Sequence, residues 1–421
     1  MNLDLLSNMN RVETPFIEVE IGGVNFGLFS QNTKNVIEGN KPYKTNAKYY
    51  PNFMKSLNVT KVNGAVNTYV LNLVYVITPG DDPNLIEKVL SKAKKTRTMF
   101  ISYGDLSLPT YIYKREEALI TDVKSNPDFA GSKIAYTIYA TSKSLLGNVA
   151  KYNFQGRNAK VSDVIKELLY NEEYKLQDLF YGMRDKQKVL QYNLIPSDDI
   201  VTRIETQTNI SILDYLKYLV KCMSPSTSSN NTVVKDETYR INVIDDTTDI
   251  FGGPYFKITK LSNNLQKDTI NVYNVDIGYP DKNVVIDFSL DDNQVWSLFY
   301  DYAKDVELPS YIKRIDNNGN LIAEYSPAYS NSKELLKTTS EDKNWWTNMI
   351  NYPINSTLKI KGLLRPAILM SYVYINAQFY GKPHISSGYY IVTKQVDDIS
   401  QSGYRTTLSL VRVGSAEVEQ W

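Results

Sequence analysis

One cysteine and one histidine stand in 421 residues, and several kinds of chemistry fall with that scarcity. Cys222 has no partner of its own kind, so no internal disulfide forms, and with His384 alone the usual Cys/His zinc sites are out of reach. An excess charge of one sign is lacking as well. The 47 Lys+Arg against 46 Asp+Glu leave +1, so no global field favours nucleic acid or an anionic membrane. The longest apolar runs, such as Val70 to Ile77 and Ala367 to Met370, fall well short of the roughly 20 residues needed to span a bilayer. Met1-Asn2-Leu3-Asp4 lacks the basic region and apolar stretch of a signal peptide, which predicts a soluble chain that is not exported by that route. The glycines form neither GxxxxGK(S/T) nor a strand-linked GxGxxG, so nucleotide binding has no support.

What is abundant is tyrosine, 33 residues against 13 Phe and 4 Trp. That excess fits extensive protein interfaces, where Tyr buries area with its hydroxyl partnered. It fits codon bias in an AT-rich genome equally well, and Tyr is a good strand residue in any case. At about 150 residues per domain, the length predicts about three domains with ample core.

The pattern along the chain predicts a mainly β protein with a small α-helical domain, two β domains flanking the helical part, the first of them suited to a barrel or a sandwich. Residues 1–148 form the first β domain, 149–235 the helical one, 236–268 a connecting β segment and 269–421 the second β domain. In the first, Ile17, Val19 and Ile21 alternate with Glu18 and Glu20 before the turn Gly22-Gly23, and Asn63-Gly64 is a second hairpin signal ahead of the strand Tyr69 to Ile77. Asn84 to Lys95 carries Leu85, Ile86, Val89 and Leu90 at helical spacing, and strands follow at Met99 to Tyr103, Thr110 to Lys114, Ala118 to Val123 and Lys133 to Thr141.

In the helical domain, Val161, Val164, Ile165, Leu168 and Leu169 share one face, with Ser162 or Asp163 as cap. A second helix has Ser211 as N-cap, Asp214 three residues on, and Ile212, Tyr215, Leu216, Leu219, Val220 and Met223 as its stripe. The polar run Ser224 to Asn231 ends this domain. Beyond it, strands are expected at Tyr239 to Ile244, Tyr255 to Ile258, Thr269 to Ile277, Val284 to Phe288, Thr357 to Lys361 and Ile368 to Ile375. A long excursion, Lys304 to Tyr352, carries contacts rather than core. The chain closes on a strand, turn and strand running from Ser387 through Asp397-Asp398-Ile399-Ser400 to Arg412, where Thr406, Leu408 and Leu410 alternate with Thr407, Ser409 and Val411. Two β domains of similar size fit a duplication, though no residue-level repeat accompanies it.

Candidate chemistry is sparse. Cys222 and His384 make a nominal nucleophile and base, but Cys222 ends an apolar stripe with no elbow or oxyanion motif around it, so a structural role is favoured. Asp291-Asp292 and Asp397-Asp398 are paired acids of a kind common in turns. Asp81-Asp82 and Asp245-Asp246 lack the ligand spacing of a calcium loop. Trp345-Trp346 with Trp296 suit sugar stacking or an interface anchor. No catalytic residue, metal site or cofactor is expected.

The closing strand pair resembles that of phage tail baseplate hub proteins, the late control protein D-like family. The opening Pro15-Phe16-Ile17-Glu18-Val19-Glu20-Ile21-Gly22-Gly23, the Asn-Gly hairpin, the helix Val161 to Leu169 and Asn209 to Leu216 resemble stations of that family in its usual order. Many relatives carry a histidine where Asp397 stands here. The resemblance implies a non-enzymatic hub of two tail-tube-like β-barrels, assembled in the host cytoplasm into the virion tail baseplate. It implies a homotrimer that adapts a six-fold tail tube to a three-fold spike, with Trp345, Trp346 and Trp296 as candidate interface residues. The implied partners are the tail tube protein, a separate spike or lysin protein, other baseplate proteins, and DNA passing through the lumen without specific binding. No membrane insertion is implied, and the end at Trp421, soon after the closing strand, leaves no room for an appended spike. The alternatives are a tail-associated cell-wall hydrolase and a carbohydrate- or receptor-binding tail protein.

Overall fold

The computed structural model describes residues 15–27, 48–51, 53–62, 65–93, 98–105, 116–174, 176, 201–222, 239–246, 253–260, 269–276, 284–292, 311–315, 321–325, 354–362, 369, 371–384 and 386–415. Across them the chain is mainly β with a small helical part, as expected.

The first unit contains β1 (Pro15–Ile21), β2 (Val24–Gly27), β3 (Lys48–Pro51), β4 (Met54–Val62), β5 (Thr68–Val76), α1 (Leu85–Ala93), β6 (Thr98–Asp105), β7 (Glu116–Asp128) and β8 (Lys133–Ser142). Its strands lie in the order β4-β5-β8-β7-β6-β1-β2-β3. Period-2 patterning builds this sheet: Tyr69, Leu71, Leu73 and Tyr75 turn inward from β5, Ile17, Val19 and Ile21 from β1, and Tyr136, Ile138 and Ala140 from β8. Ile86, Val89 and Leu90 of α1, spaced for one helical face, pack onto the same core. The β1–β2 turn falls on Gly22 and Gly23, with φ of 57° and 79°, a backbone that glycine adopts without strain. Asn63, Gly64 and the strand expected at Thr110 to Lys114 lie outside the described residues.

The middle unit holds β9 (Lys151–Phe154), β10 (Arg157–Ala159), α2 (Val161–Tyr170), β11 (Thr202–Ile204), β12 (Gln207–Ser211) and α3 (Ile212–Cys222). The expected stripe of α2 is buried against Ile212, Leu216 and Leu219 of α3, and Phe154 stacks on Tyr215 at 3.6 Å between ring centroids. One detail differs. Lys160 occupies the N-cap of α2 without a side-chain bond, and Ser162 is buried inside the first turn, because the core claims its face of the helix. On α3 the expected cap is present: Ser211 Oγ accepts from the Asp214 amide at 3.1 Å and donates to Asp214 Oδ2 at 2.7 Å.

The remaining strands are β13 (Tyr239–Asp246), β14 (Gly253–Lys260), β15 (Thr269–Asp276), β16 (Val285–Asp292), β17 (Tyr311–Ile315), β18 (Leu321–Tyr325), β19 (Ile354–Lys361), β20 (Tyr372–Phe379), β21 (Lys382–Pro383), β22 (Gly388–Ser400) and β23 (Gly403–Ser415). Two pairs, β13 with β14 and β17 with β18, form separate hairpins, the latter inside the long excursion. The others run β16-β19-β23-β22, with β20 also on β22 and β15 parallel to β20. Leu358, Ile360, Val373, Ile375, Tyr390, Val392, Leu408 and Leu410 make their core.

The closing hairpin does more than finish this last unit. Along one edge of β22, Gly388 to Ile391 pair with β20, while Lys394 to Ser400 pair with β4 of the first unit. Among the described residues, fifteen strands thereby share one sheet. A register shift between Val392 and Lys394 sits where the partner changes. Before it Tyr390 and Val392 belong to the last unit's core, with Ile391 also buried; after it Gln395, Asp397 and Ile399 are buried. The extra residue of the bulge moves the inward face from even to odd positions, so one strand supplies side chains to two cores. Ile399 and Tyr404 belong to the core of the first unit.

Candidate functional site

The junction made by β22 gathers three of the buried charged side chains among the described residues, Lys61, Glu116 and Asp397. Glu116, at the start of β7, is fully buried and accepts from Lys61 Nζ at 2.8 Å, Tyr69 Oη at 2.8 Å and Tyr103 Oη at 3.4 Å. The Lys61 side chain is 1% exposed. Across the β4–β22 ladder Lys61 stands opposite Gln395, whose Nε2 donates to Asp397 Oδ2 at 2.7 Å. Asp397 Oδ1 also accepts from Thr406 Oγ1 at 2.6 Å and Tyr404 Oη at 3.1 Å. Tyr103 and Tyr404 meet edge to face, centroids 6.5 Å apart, which brings the two carboxylate clusters to one seam.

Each position has a local cause. Odd residues of β22 face inward after the bulge, and Glu116 is the first residue of a strand that enters the core before turning outward. A buried ion pair costs desolvation, and its stability rests on the hydroxyls that complete the carboxylate's hydrogen bonds. Chemically the seam binds strands together. Neither acid is open to a substrate, since both are fully buried under satisfied donors.

A second feature is a groove of about 510 Å³ on the last unit, lined by β15, β16 and the β20–β21 region. Phe288 and Phe379 line it with Asp276, Asp287 and His384. His384 is exposed on one wall, its Nδ1 2.8 Å from Ser386 Oγ and its ring against Phe379. Beneath it Tyr390 donates to the Ser386 carbonyl at 2.7 Å, and burial raises the phenol pKa.

The structure separates the sequence candidates. Cys222 is buried in the helical core and His384 lines the groove, so the nominal nucleophile and base belong to different units. Asp397 and Asp398 sit on opposite faces of β22, one buried and one exposed, which prevents their acting as a pair. Asp81 and Asp82 organise a turn: Asp81 accepts from the Thr78 amide and hydroxyl, and Asp82 from the Asn84 amide and Lys88. Among the described residues no group of three His, Cys, Asp or Glu could hold a metal ion, and no helix is long and apolar enough to cross a membrane. Trp296, Trp345 and Trp346 lie outside the described residues, as do the side chains of Asp245, Asp246, Asp291 and Asp292. Sequence reasoning missed Lys61, Glu116 and Gln395, whose polarity in a strand reads as an outward position.

No protein-family model and no curated protein matches the sequence. Solved structures do. The chain is similar to the 43 kDa tail protein of prophage MuSo2 from Shewanella oneidensis, at 10% identity and a TM-score of 0.49, covering 95% of this chain and 98% of that one. It is similar to the tail protein from Neisseria meningitidis MC58, at 7% identity and a TM-score of 0.49, covering 95% and 97%. It is also similar to the E. coli c3393 protein, described as a component of the type VI secretion system with structural similarity to T4 tail proteins gp27 and gp5. There the identity is 7% and the TM-score 0.42, over 87% of this chain and 75% of that one.

Proposed function

We propose that this chain is a structural hub of a phage tail or phage-derived contractile machine, a homotrimeric adaptor joining a six-fold tail tube to a three-fold spike around a DNA conduit. The observation that carries the reading is the shared hairpin. Because β22 and β23 complete two separate cores, each chain holds two β units in fixed register, and three copies would bring six such units to one closed ring. Six units on one side and three chains on the other is the arithmetic a symmetry adaptor needs.

Other features support the same reading. The sequence stations from Pro15 to the closing pair follow the hub order. The buried acids serve strand cohesion, which suits a structural rather than catalytic role. A balanced charge suits a conduit that DNA must traverse without sticking. On this reading the partners are the tail tube protein, a spike or lysin protein and neighbouring baseplate proteins, and the working location is the virion tail baseplate. Native mass spectrometry of the purified chain, alone and with tube and spike proteins, tests it. A species of three copies is expected, and a chain that stays monomeric in every mixture contradicts the reading.

A further inference from the structure

β4 has two ladder neighbours, β5 from its own unit and β22 from the closing hairpin. Its inward residues Leu57, Val59 and Lys61 are at most 1% exposed, and so are Ile399, Asp397 and Gln395, which stand opposite them on β22. Ile399 and Tyr404 are members of the first core, and Tyr103 of β6 meets the Tyr404 ring. Without the hairpin, β4 keeps one partner and carries an apolar row along an open edge, the kind of edge that pairs with wrong partners. The hairpin also cannot dock early. β22 and β23 are made after every other described strand, and Tyr390, Val392, Leu408 and Leu410 tie them to the core of the last unit. Contacts between residues so far apart in sequence carry a loop-closure cost before they stabilise anything.

We propose that the β22–β23 hairpin is a strap that closes both β units in one step. The first unit reaches its final form only in a chain that has been made through β23, and once closed the two β units open together. Each half of β22 has its own part in this. Gly388 to Ile391 hold β20, Lys394 to Ser400 hold β4, and the bulge between them lets one strand face two cores. In the ring proposed above, the strap excludes unfinished chains, because a chain stopped before β22 has no finished β unit to offer a neighbour. The strap is a property of the single chain, with or without that ring.

Hydrogen exchange of the full chain, read by mass spectrometry in low denaturant, tests it. Amides of β1 and β5 in the first unit, of β19 and β20 in the last, and of β22–β23 should exchange through one shared opening with one denaturant dependence. Ile399→Val trims the strap where it enters the first core. It should speed exchange by one common factor, about two- to tenfold, in all these strands, including those of the last unit, whose core does not contain Ile399. The helices α2 and α3, packed in a core of their own, should keep their rates. Pulse labelling during refolding of the unaltered chain gives a second reading: β4, β5 and β8 should gain stable protection no earlier than β22 and β23. Protection of β4, β5 and β8 while β22 and β23 still exchange overturns the proposal. So does an Ile399→Val effect confined to the first unit and the hairpin, and so does an equal effect in α2 and α3, since global unfolding would then be the coupling.

Discussion

Gly362 lies so close to the ring of Tyr404 that a Cβ at position 362 would overlap its atoms, and the Gly362 amide donates to the Tyr404 carbonyl at 2.8 Å. Gly362 follows β19, in the last unit. The Tyr404 ring packs in the first unit's core and its hydroxyl reaches Asp397. One glycine therefore sets how closely β19 approaches the shared hairpin. Gly362→Ala should destabilise the protein by about 1–3 kcal/mol, the usual cost of overpacking. Denaturant melts of the variant check this, and an unchanged midpoint would mean that Tyr404 moves aside freely.

Lys61 and Glu116 form an ion pair with both side chains buried. Lys61→Met alone leaves a buried carboxylate without its cation and should cost about 3–5 kcal/mol, whereas Lys61→Met with Glu116→Leu should recover much of that loss. A double-mutant cycle by urea unfolding measures the coupling. Additive losses would show that the pair does not act as one.

Ser211 caps α3, and its hydroxyl is the main reason that the Asp214 carboxyl sits below its ordinary pKa, with Lys217 assisting. A depressed carboxylate pKa adds stability above the unfolded value, near 4, which is lost as pH falls through the folded value. Ser211→Ala should cost about 0.5–2 kcal/mol at neutral pH. It should also flatten the acid limb of the stability curve and move the Asp214 titration, followed by NMR, back upward.

Burial pushes the phenols of Tyr136 and Tyr215 up to about 12. Both are neutral in the folded chain at a pH where an unfolded tyrosine, with a pKa of about 10, has begun to ionise. Their contribution is complete below about pH 10 and declines as pH rises towards 12, because the native state then holds more protons. Ultraviolet difference titration should show a late-ionising fraction of tyrosine whose release coincides with loss of structure.

Much of the architecture was legible in residue spacing. The alternation of Tyr69, Leu71, Leu73 and Tyr75, the stripe of α2 and the Ser211–Asp214 cap are local patterns, and local physics decides them. What escaped notice depends on residues distant in the chain. Lys61, Glu116 and Asp397 look like outward strand positions until their partners arrive from other strands. The bulge before Lys394 exchanges the two faces of β22, and period-2 reading has no signal for one inserted residue. Parallel pairing of β15 with β20 joins strands separated by the whole excursion, beyond the reach of any hairpin signal.

The most direct measurement for the hub reading is electron cryomicroscopy of the tail particle, or of the purified protein with its tube and spike partners, with no symmetry imposed. The account predicts three copies of this chain in a closed ring whose six β units meet the tube on one face and the spike on the other. A single copy, or a ring whose order is not three, would contradict it.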